Sequence, residues 1–213
     1  MFTGLIEEIG VVKAFHKQSS GAVLQVGCSK ILDDLKIGDS VAINGACQTA
    51  VKVGVDFFEV EAALETLNLT NLANLQKGQK VNLERAMSAT SRFGGHMVSG
   101  HVEGTGKFLR KEKQGIAEVF YFEAPENVSK YLVYKGSVSL NGISLTIASL
   151  TKNIFSVSVI SHTLQETNLN DLKTGDFVNI EPDIIAKYIE KFLSKGHNTG
   201  GDISFDFLKE NGF

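Results

Sequence analysis

Small polar side chains follow an Asn-Gly pair at two places in this sequence. Cys47 and Thr49 come after the first pair, and Ser144 and Thr146 come after the second. Asn-Gly is a strong signal for a tight hairpin turn, and alternate residues of the following strand point to the same side. Each pair of side chains therefore shares one face, where it can hydrogen-bond a flat polar heterocycle. A solvent-facing strand without a ligand is the alternative interpretation.

Two glycines are placed where a ligand can approach the backbone closely. Gly4 lies in TGLIE and Gly100 in the similar segment SGHVE, each just inside a predicted strand. A residue without a side chain permits such an approach, and the hydroxyl groups of Thr3 and Ser99 precede the two glycines. A glycine at a bulge of a barrel is the alternative.

Strand ends supply a third pair of similar segments. Residues 61–66 (EAALET) and residues 158–163 (SVISHT) each end a strand and enter a leucine-bearing helical turn. Backbone amides at such a position can bind a carbonyl-rich ring, and Thr66 or Thr163 can act as a helix N-cap. Helix capping without any ligand is the alternative.

Ser40 and Ser137 form a fourth repeated pair, and Lys135 lies just upstream of the second member. Taken by itself, Lys135 is typical of a solvated loop lysine. The sequence has no GxSxG motif, no P-loop and no Rossmann fingerprint. We therefore expect the protein to contribute mainly by binding and orienting reactants, which can lower a reaction barrier by several kcal/mol.

Length and composition exclude several classes of protein. The 213 residues give room for two domains of about 100 residues each. A net charge of −3 without a stripe of Lys or Arg argues against a nucleic-acid partner. No apolar run approaches the roughly 18 residues that span a bilayer, so no membrane association is expected. The opening MFTG lacks the features of a signal peptide, which predicts a cytoplasmic location.

The cysteines and histidines do not predict a metal site. Cys28 and Cys47 form no CxxC pair, and we expect two free thiols, with a disulfide as the alternative. His96 and His101 lie five positions apart, which does not suit two ligands on one helix face. We therefore expect no metal.

The chain is an internal repeat, which indicates one domain made twice. The segments that return, most of them 97 positions later, are MFTGLIEEIG as MVSGHVEGTG, SVAINGACQT as SVSLNGISLT, and TNLANLQKGQKVNLE as TNLNDLKTGDFVNIE. About six short alternating or β-branched segments in each half, separated by turn residues, predict a small antiparallel barrel in each. In the second half, four strands are individually predicted, over residues 119–124, 137–141, 145–150 and 155–160.

The predicted domains are a barrel over residues 1–96, a barrel over residues 97–186, and a helix with a tail over residues 187–213. The helix is expected to run from residue 184 to residue 195 with a single apolar stripe, and Gly196 is a credible stop. It has no counterpart in the first half, so its stripe packs either on the barrels or on the same helix of other subunits. The tail beyond it is expected to be loosely held.

Four motifs together resemble the riboflavin synthase family of the α-subunit type, over about residues 1–190. These motifs, which match in order and spacing, are MFTGLIEEIG, NGACQT, GGHMVSGHVEG and KGSVSLNGISLT. The resemblance implies two six-stranded Greek-key barrels and a C-terminal helix that assembles a homotrimer, with substrate sites between subunits. It implies that two molecules of 6,7-dimethyl-8-ribityllumazine exchange a four-carbon unit without a cofactor, giving riboflavin and 5-amino-6-(D-ribitylamino)uracil. An association with lumazine synthase is left open.

The resemblance also implies two lumazine sites, and Phe2 would cover a ring. Residues expected to hold the first lumazine are Gly4, Leu5, Ile6, Cys47, Gln48, Thr49, Glu61, Ala62, Ala63, Leu64, Glu65 and Thr66. Residues expected to hold the second are Gly100, His101, Val102, Lys135, Ser144, Leu145, Thr146, Ser158, Val159, Ile160, Ser161, His162 and Thr163. The residues expected to handle protons and to stabilise the adduct are Ser40, Cys47, His101, Ser144 and Thr146.

His101 is the preferred general base or acid, because histidine is the side chain that titrates near neutral pH without perturbation. A hydrogen-bonded structural histidine is the alternative. Two residues depart from the family pattern: Gln48 stands where the family has an apolar residue, and Asn141 stands where many members have Asp. We interpret Gln48 either as an added hydrogen bond or as an outward-facing side chain.

Two functions of other classes compete with the enzyme. One is a non-catalytic lumazine- or flavin-binding protein of the antenna type on the same duplicated fold, and the other is a two-barrel adaptor for another protein. The second-half motifs SGHVEG and NGISLT are intact in this sequence, which favours the enzyme.

Overall fold

Two closed barrels of six antiparallel strands make up most of the molecule, as the repeat predicts. The computed structural model describes residues 1–196 and residue 209. The strands of the first barrel are β1 (Glu8–Gln18), β2 (Gly21–Gly27), β3 (Ser40–Ile43), β4 (Ala46–Val53), β5 (Phe57–Ala63) and β6 (Lys80–Arg85). They are hydrogen-bonded in the closed order β1-β2-β5-β4-β3-β6. Because some neighbours are not consecutive along the chain, the connectivity is that of a Greek key.

The second barrel repeats the first strand by strand. Its strands are β7 (Gly104–Gln114), β8 (Ala117–Glu123), β9 (Ser137–Leu140), β10 (Ile143–Thr151), β11 (Ile154–Ile160) and β12 (Phe177–Pro182). They follow the same circular order as in the first barrel. Strands β7 and β12 were not among the individually predicted strands. In β7 only Gly106 and Phe108 are buried, so the apolar and polar residues of this strand alternate little along its length.

The two barrels differ in how their interiors are filled. Aliphatic side chains dominate the first core, where Phe58 is fully buried. Four phenylalanines fill the second core, namely Phe108, Phe120, Phe122 and Phe155. The ring centroids of Phe122 lie 5.5 Å from Phe108 and 5.6 Å from Phe155, within the range in which aromatic pairs attract beyond simple burial.

The helices between the strands are short. They are α1 (Leu64–Leu69), α2 (Glu126–Ser129) and α3 (Ser161–Glu166), with 3-10 turns at Lys30–Asp33, Asn71–Asn74 and Asn168–Asp171. The expectation that Thr66 or Thr163 caps a helix is wrong, because Ala63 and Ile160 occupy the N-cap positions with extended backbones. The carbonyl oxygens of Thr66 and Thr163 instead accept the hydroxyl protons of Thr70 and Thr167, each at 2.6 Å.

Helix α4 (Ile184–Gly196) begins at the predicted residue and belongs to a second unit of the chain, residues 184–213. Its apolar side chains at Ile185, Tyr188 and Phe192 are more than half exposed. Among the described helices, none is long and apolar enough to cross a membrane. The tail from residue 197 onward, expected to be loosely held, lies outside the described residues apart from residue 209.

Six asparagines join the two barrels, which together form one unit, Met1–Asp183. They are three pairs of repeat equivalents: Asn44 with Asn141, Asn71 with Asn168, and Asn82 with Asn179. The Asn168 amide donates to Asn44 Oδ1 at 2.9 Å, and the Asn71 amide donates to Asn141 Oδ1 at 3.0 Å. Because both bonds join one half to the other, the network fixes the relative position of the two Asn-Gly turns.

Asn141 is a structural member of this network. Its backbone has a φ of 46°, and its Oδ1 also accepts the Asn179 backbone N–H at 2.9 Å. A Cβ added at Gly45 would lie 2.6 Å from the Gly142 backbone nitrogen. The two turns therefore touch, and the residue before each glycine must tolerate a left-handed conformation, which asparagine does more readily than most residues.

Candidate functional site

The first residues of each half of the chain, residues 1–6 and residues 97–102, are called here the opening segments. Each opening segment packs on the Asn-Gly hairpin of the other half. The Cys47 N–H donates to the Gly100 carbonyl oxygen at 2.8 Å, and the Ser144 N–H donates to the Gly4 carbonyl oxygen at 2.8 Å. Gly4 and Gly100 have φ values of 77° and 82°. A Cβ on Gly100 would lie 2.6 Å from the Cys47 Cβ. The two glycines are thus required for close packing of one half on the other.

This crossing corrects the expected grouping of the site residues. The segment Gly4–Ile6 lies with Ser144 in the second barrel, and Gly100–Val102 lies with Cys47 in the first barrel, the reverse of the expectation. Val102 belongs to the first core, and Ile6 packs against the second. The cause is an antiparallel bridge in which Phe2 and Val98 exchange backbone hydrogen bonds of 2.8 and 3.2 Å, which sends the two segments past each other.

A cavity of about 310 Å³ lies beside the Cys47 hairpin, and we call it the first-barrel pocket. This volume is at the lower end of the range of small-molecule sites. It brings together eight of the expected site residues, drawn from both sets: Cys47, Gln48, Ala63, Glu65, Thr66, Gly100, His101 and Val102. Its wall also contains Ala46, Leu69 and Thr70, which were not predicted.

The polar side chains of the first-barrel pocket differ in exposure. His101 is exposed, and Cys47 is half-buried. Gln48 is buried and donates from Nε2 to the Cys47 carbonyl oxygen at 2.5 Å, so an outward-facing Gln48 is excluded. The pocket therefore presents the Cys47 thiol, the backbone near Thr66 and the exposed His101 imidazole at its surface.

Several expected binding side chains do not face a pocket. Phe2 has no exposed surface and packs with Ala42 and Val98, so the expectation that it covers a ring is wrong. Ala62 and Val159 are buried in the two barrel cores. In each strand these residues alternate with outward-facing neighbours. The sequence pattern alone does not show whether a residue of such a segment would contact a ligand through its backbone or through its side chain. The expected residues that are exposed outside the first-barrel pocket are Leu5, Thr49, Glu61, Leu64, Lys135, Thr146, Ser158, Ile160, Ser161 and His162.

Ser144, the counterpart of Cys47, has a histidine partner that the sequence analysis missed. His96 Nδ1 lies 2.7 Å from the Ser144 hydroxyl oxygen. His96 is buried, and its Nε2 has no hydrogen-bond partner within the described part of the chain. Burial lowers the pKa of His96, although the charge of Asp183 acts in the opposite direction. With its proton on Nε2, the neutral ring accepts the Ser144 hydroxyl proton, which is the arrangement that activates a serine.

Gly95, the residue before His96, is the feature of the sequence that could have indicated a fixed position for this histidine. A Cβ on Gly95 would lie 2.0 Å from the Thr3 carbonyl oxygen, and that oxygen also accepts the His96 N–H at 3.1 Å. The five-residue spacing of His96 and His101 bears only on metal ligation, and it does not reveal a histidine that its neighbours in the linker hold in place. Across residues 1–196 and 209, no three His, Cys, Asp or Glu side chains form a group that could hold a metal ion.

Two buried glutamates, also missed, hold the opening segments. Glu84 in β6 and Glu181 in β12 are 4% exposed. Burial raises the pKa of both carboxyl groups, and hydrogen bonds from Thr3 and Gly4 or from Ser99 and Gly100 work against that rise. A buried carboxylate that accepts three hydrogen bonds is a structural part of the fold, because a buried charge needs such partners.

Ser40 lies apart from the first-barrel pocket. It lines a polar cavity of about 480 Å³ together with Glu84, Arg85 and Arg92. It is nonetheless the cross-strand partner of Thr49 in β3 and β4. Lys135 has a φ of 65° at the position where the first half has Gly38, with a φ of 95°. Neither Ser40 nor Lys135 lines the first-barrel pocket, which contains Cys47.

The two cysteines are free thiols. Burial raises the pKa of Cys28 to about 12, so this thiol stays protonated and unreactive at neutral pH. Cys47, which lines the first-barrel pocket, is therefore the thiol available for contact with a ligand.

Comparison with known proteins identifies the family. The lumazine binding domain family matches residues 3–86 and residues 99–183. The riboflavin synthase of Bacillus subtilis (strain 168) is 45% identical over 215 residues, with 100% of both chains covered. That of Actinobacillus pleuropneumoniae is 42% identical over 215 residues, again with 100% of both chains covered.

Solved structures show the same fold. LumP complexed with riboflavin superposes with a TM-score of 0.80 at 23% identity, covering 85% of this chain and 99% of that chain. LumP complexed with 6,7-dimethyl-8-(1'-D-ribityl) lumazine gives a TM-score of 0.78. At this level of identity the likeness concerns architecture, and the full-length relatives carry the assignment. The chain belongs to the riboflavin synthase family, and it contains the lumazine binding domain of that family twice.

Proposed function

We propose that this protein catalyses the riboflavin synthase reaction. Two molecules of 6,7-dimethyl-8-ribityllumazine would exchange a four-carbon unit and give riboflavin and 5-amino-6-(D-ribitylamino)uracil. The two products contain all the atoms of the two substrate molecules, so the reaction needs neither an oxidant nor a cofactor. The observation that carries the proposal is the pair of similar hairpins with different side chains, Cys47 beside an open pocket and Ser144 beside His96. Two equivalent frames suit two identical substrates, and their different chemistry suits two different roles.

The first-barrel pocket would bind the lumazine that loses a proton from its 7-methyl group. The ring itself stabilises the resulting carbanion, so the protein needs only a base near the methyl group and a fixed ring. His101 stands at the rim of the pocket and supplies the base in this proposal. A correctly positioned general base contributes about 100-fold to 10,000-fold to a rate.

We call the Ser144 hairpin, together with Gly4 and His96, the Ser144 half-site. It would bind the second lumazine as the acceptor. His96 takes the Ser144 proton while the serine oxygen, or a water held by it, adds to C7 of the ring. The carbanion of the first lumazine then joins the second ring, the oxygen leaves, and the joined adduct fragments into the two products, which take back the proton that His101 removed. His96 returns its proton to the departing oxygen, so the pair ends as it began. Burial keeps the His96 imidazole neutral and so able to accept a proton, and the charge of Asp183 favours the imidazolium that the transfer forms.

The finer assignments also belong to this proposal. The exposed apolar stripe of α4, with Ile185, Tyr188 and Phe192, suits packing against the same helix in two further subunits, giving a homotrimer whose active sites lie between a first barrel and a neighbour's second barrel. The enzyme would be a cytoplasmic transferase, in keeping with its two free thiols. A contact with lumazine synthase also belongs to this proposal, and co-sedimentation of the two purified proteins tests it.

The test is to incubate the purified full chain with 6,7-dimethyl-8-ribityllumazine and to follow riboflavin by fluorescence. We expect continuous formation of riboflavin and of an equal amount of the aminouracil. Binding of the lumazine without conversion would contradict the proposal and favour the antenna-type alternative. Absence of binding would favour the adaptor.

A further inference from the structure

We propose that Glu181 and Glu84 are positioning residues, each of which fixes the wall of one half-site, and that Glu181 serves the first-barrel pocket while Glu84 serves the Ser144 half-site. The inference deepens the proposed function and rests on it for the identity of the ligand. Neither glutamate lies within the hairpins or the strand ends that the sequence motifs mark.

Glu181 receives three hydrogen bonds from one opening segment. Its Oε1 accepts the Ser99 N–H at 2.6 Å and the Ser99 hydroxyl at 2.7 Å, and its Oε2 accepts the Gly100 N–H at 2.9 Å. The Ser99 hydroxyl oxygen in turn accepts the His101 N–H at 3.2 Å. The carboxylate therefore determines where the backbone before and after Gly100 runs.

The other side of the same segment forms the pocket wall. The Gly100 carbonyl oxygen accepts the Cys47 N–H at 2.8 Å, and Gly100, His101 and Val102 line the first-barrel pocket. Glu181 thus holds the segment by its N–H groups, and the Cys47 hairpin holds it by its carbonyl group. Loss of either hold would let this wall move away from the pocket.

Glu84 repeats the arrangement for the other half-site. Its Oε1 accepts the Thr3 N–H and hydroxyl, each at 2.7 Å, and its Oε2 accepts the Gly4 N–H at 3.0 Å. The Gly4 carbonyl oxygen accepts the Ser144 N–H at 2.8 Å. Because the segments cross, each glutamate acts on the hairpin of the barrel to which it does not belong.

A carboxylate suits this task better than its amide. Three donors converge on two oxygens, and both oxygens of a carboxylate accept. Glu181→Gln would turn an N–H group toward at least one of these donors and would leave a buried donor unpaired. The substitution keeps the size of the side chain, so the change is confined to the hydrogen bonds.

The experiment compares Glu181→Gln with Glu84→Gln in the full chain and measures alkylation of Cys47 by iodoacetamide. Mass spectrometry separates this thiol from Cys28, whose pKa of about 12 makes it a slow internal reference. We expect Glu181→Gln to raise the rate at Cys47 about tenfold, the factor for a loss of about 1.4 kcal/mol in local stability. We expect Glu84→Gln to leave that rate unchanged, because it loosens the wall at Ser144.

Riboflavin supplies a second measurement. It should protect Cys47 in the wild type and in Glu84→Gln but not in Glu181→Gln, whereas a general loss of stability would affect both variants alike. Equal acceleration in both variants, or none in Glu181→Gln, would overturn the proposal. If Glu181→Gln does not fold, Ser99→Ala against Thr3→Ala applies the same contrast with one hydroxyl removed from each. Alkylation without ligand does not depend on the enzymatic activity, so a wild type that forms no riboflavin would contradict the proposed function alone.

Discussion

The two half-sites share one framework and differ in the group that faces the ligand. At Cys47 the hairpin borders an open pocket, and the thiol lines that pocket. At Ser144 the same hairpin carries a hydroxyl group held 2.7 Å from a buried imidazole. The duplicated frame gives two similar half-sites, whereas the side chains that differ between them, Cys47 on one side and Ser144 with its partner His96 on the other, give each half-site its own chemistry.

The sharpest way to break this comparison is to remove His96. His96→Ala should lower kcat about 100-fold, the low end of the range for a lost acid–base group. It should leave riboflavin protection of Cys47 intact, because His96 does not line the first-barrel pocket. Steady-state kinetics and alkylation measure the two effects. His16→Ala, at an exposed histidine of β1, is the matched control, and an equal loss in that variant would remove His96 from the mechanism.

The contact between the two Asn-Gly turns offers a test of how firmly the two sites are joined. Gly45→Ala should lower the free energy of unfolding by about 3 kcal/mol, because a left-handed φ costs roughly 1–2 kcal/mol and the added Cβ meets the Gly142 backbone. Gly38→Ala is the matched control, since Gly38 also has a positive φ but no atom lies within 4 Å of the added Cβ. Urea unfolding of both variants gives the difference. Equal destabilisation would mean that the turns are not tightly packed.

The two barrel cores should differ in their sensitivity to loss of an aromatic ring. Phe122→Leu should cost about 1 kcal/mol more than Phe58→Leu, because the ring of Phe122 has favourable contacts with other rings. Thermal unfolding of the two variants measures the difference. A larger effect at Phe58 would show that the aliphatic core is the more specifically packed of the two.

The smallest expected effect is a dependence of stability on pH. Burial lowers the pKa of His96 below its ordinary value of 6.5, so the unfolded chain binds this proton at a higher pH than the native protein does. The stability linked to neutral His96 is therefore present above 6.5 and is lost as the pH falls below it. The raised pKa values of Glu84 and Glu181 act with the opposite sign, because the stability linked to their protonated forms is present at pH 4.5 and below and is lost as the pH rises above 4.5.

His96→Gln isolates the contribution of this histidine. The difference in unfolding free energy between the wild type and the variant should shrink as the pH is lowered from about 8 to about 5. Chemical denaturation at a series of pH values gives this difference. A constant difference over the range would mean that the imidazole has the same pKa in the folded and unfolded chain.

The repeat and the strand punctuation were enough to predict two antiparallel barrels, and the structure confirms them. Hairpins at Asn44–Gly45 and Asn141–Gly142 were also predictable, because the turn requires those residue types. The crossing of the opening segments was not, since a short segment with one bridge between Phe2 and Val98 leaves no periodic signal. For the same reason, His101 was expected beside Ser144 and lies beside Cys47.

The site residues that sequence reasoning missed share a physical property. Glu84, Glu181 and His96 are buried polar groups whose roles depend on partners far away in the chain. In the sequence, Glu84 is indistinguishable from an exposed strand glutamate, and His96 from a linker histidine. Only a three-dimensional arrangement shows which donors converge on a carboxylate or which hydroxyl group meets an imidazole.

The crossed opening segments bear on how a duplicated chain diverges. His101 is inherited with the second copy but lines the pocket of the first barrel, and Gly4 is inherited with the first copy but accepts the Ser144 N–H of the second. Two copies that kept to themselves would be free to accumulate changes separately. Here, a new ligand preference in one site requires compatible changes in both copies, so specialisation is shared across the duplication boundary and each copy constrains the evolution of the other.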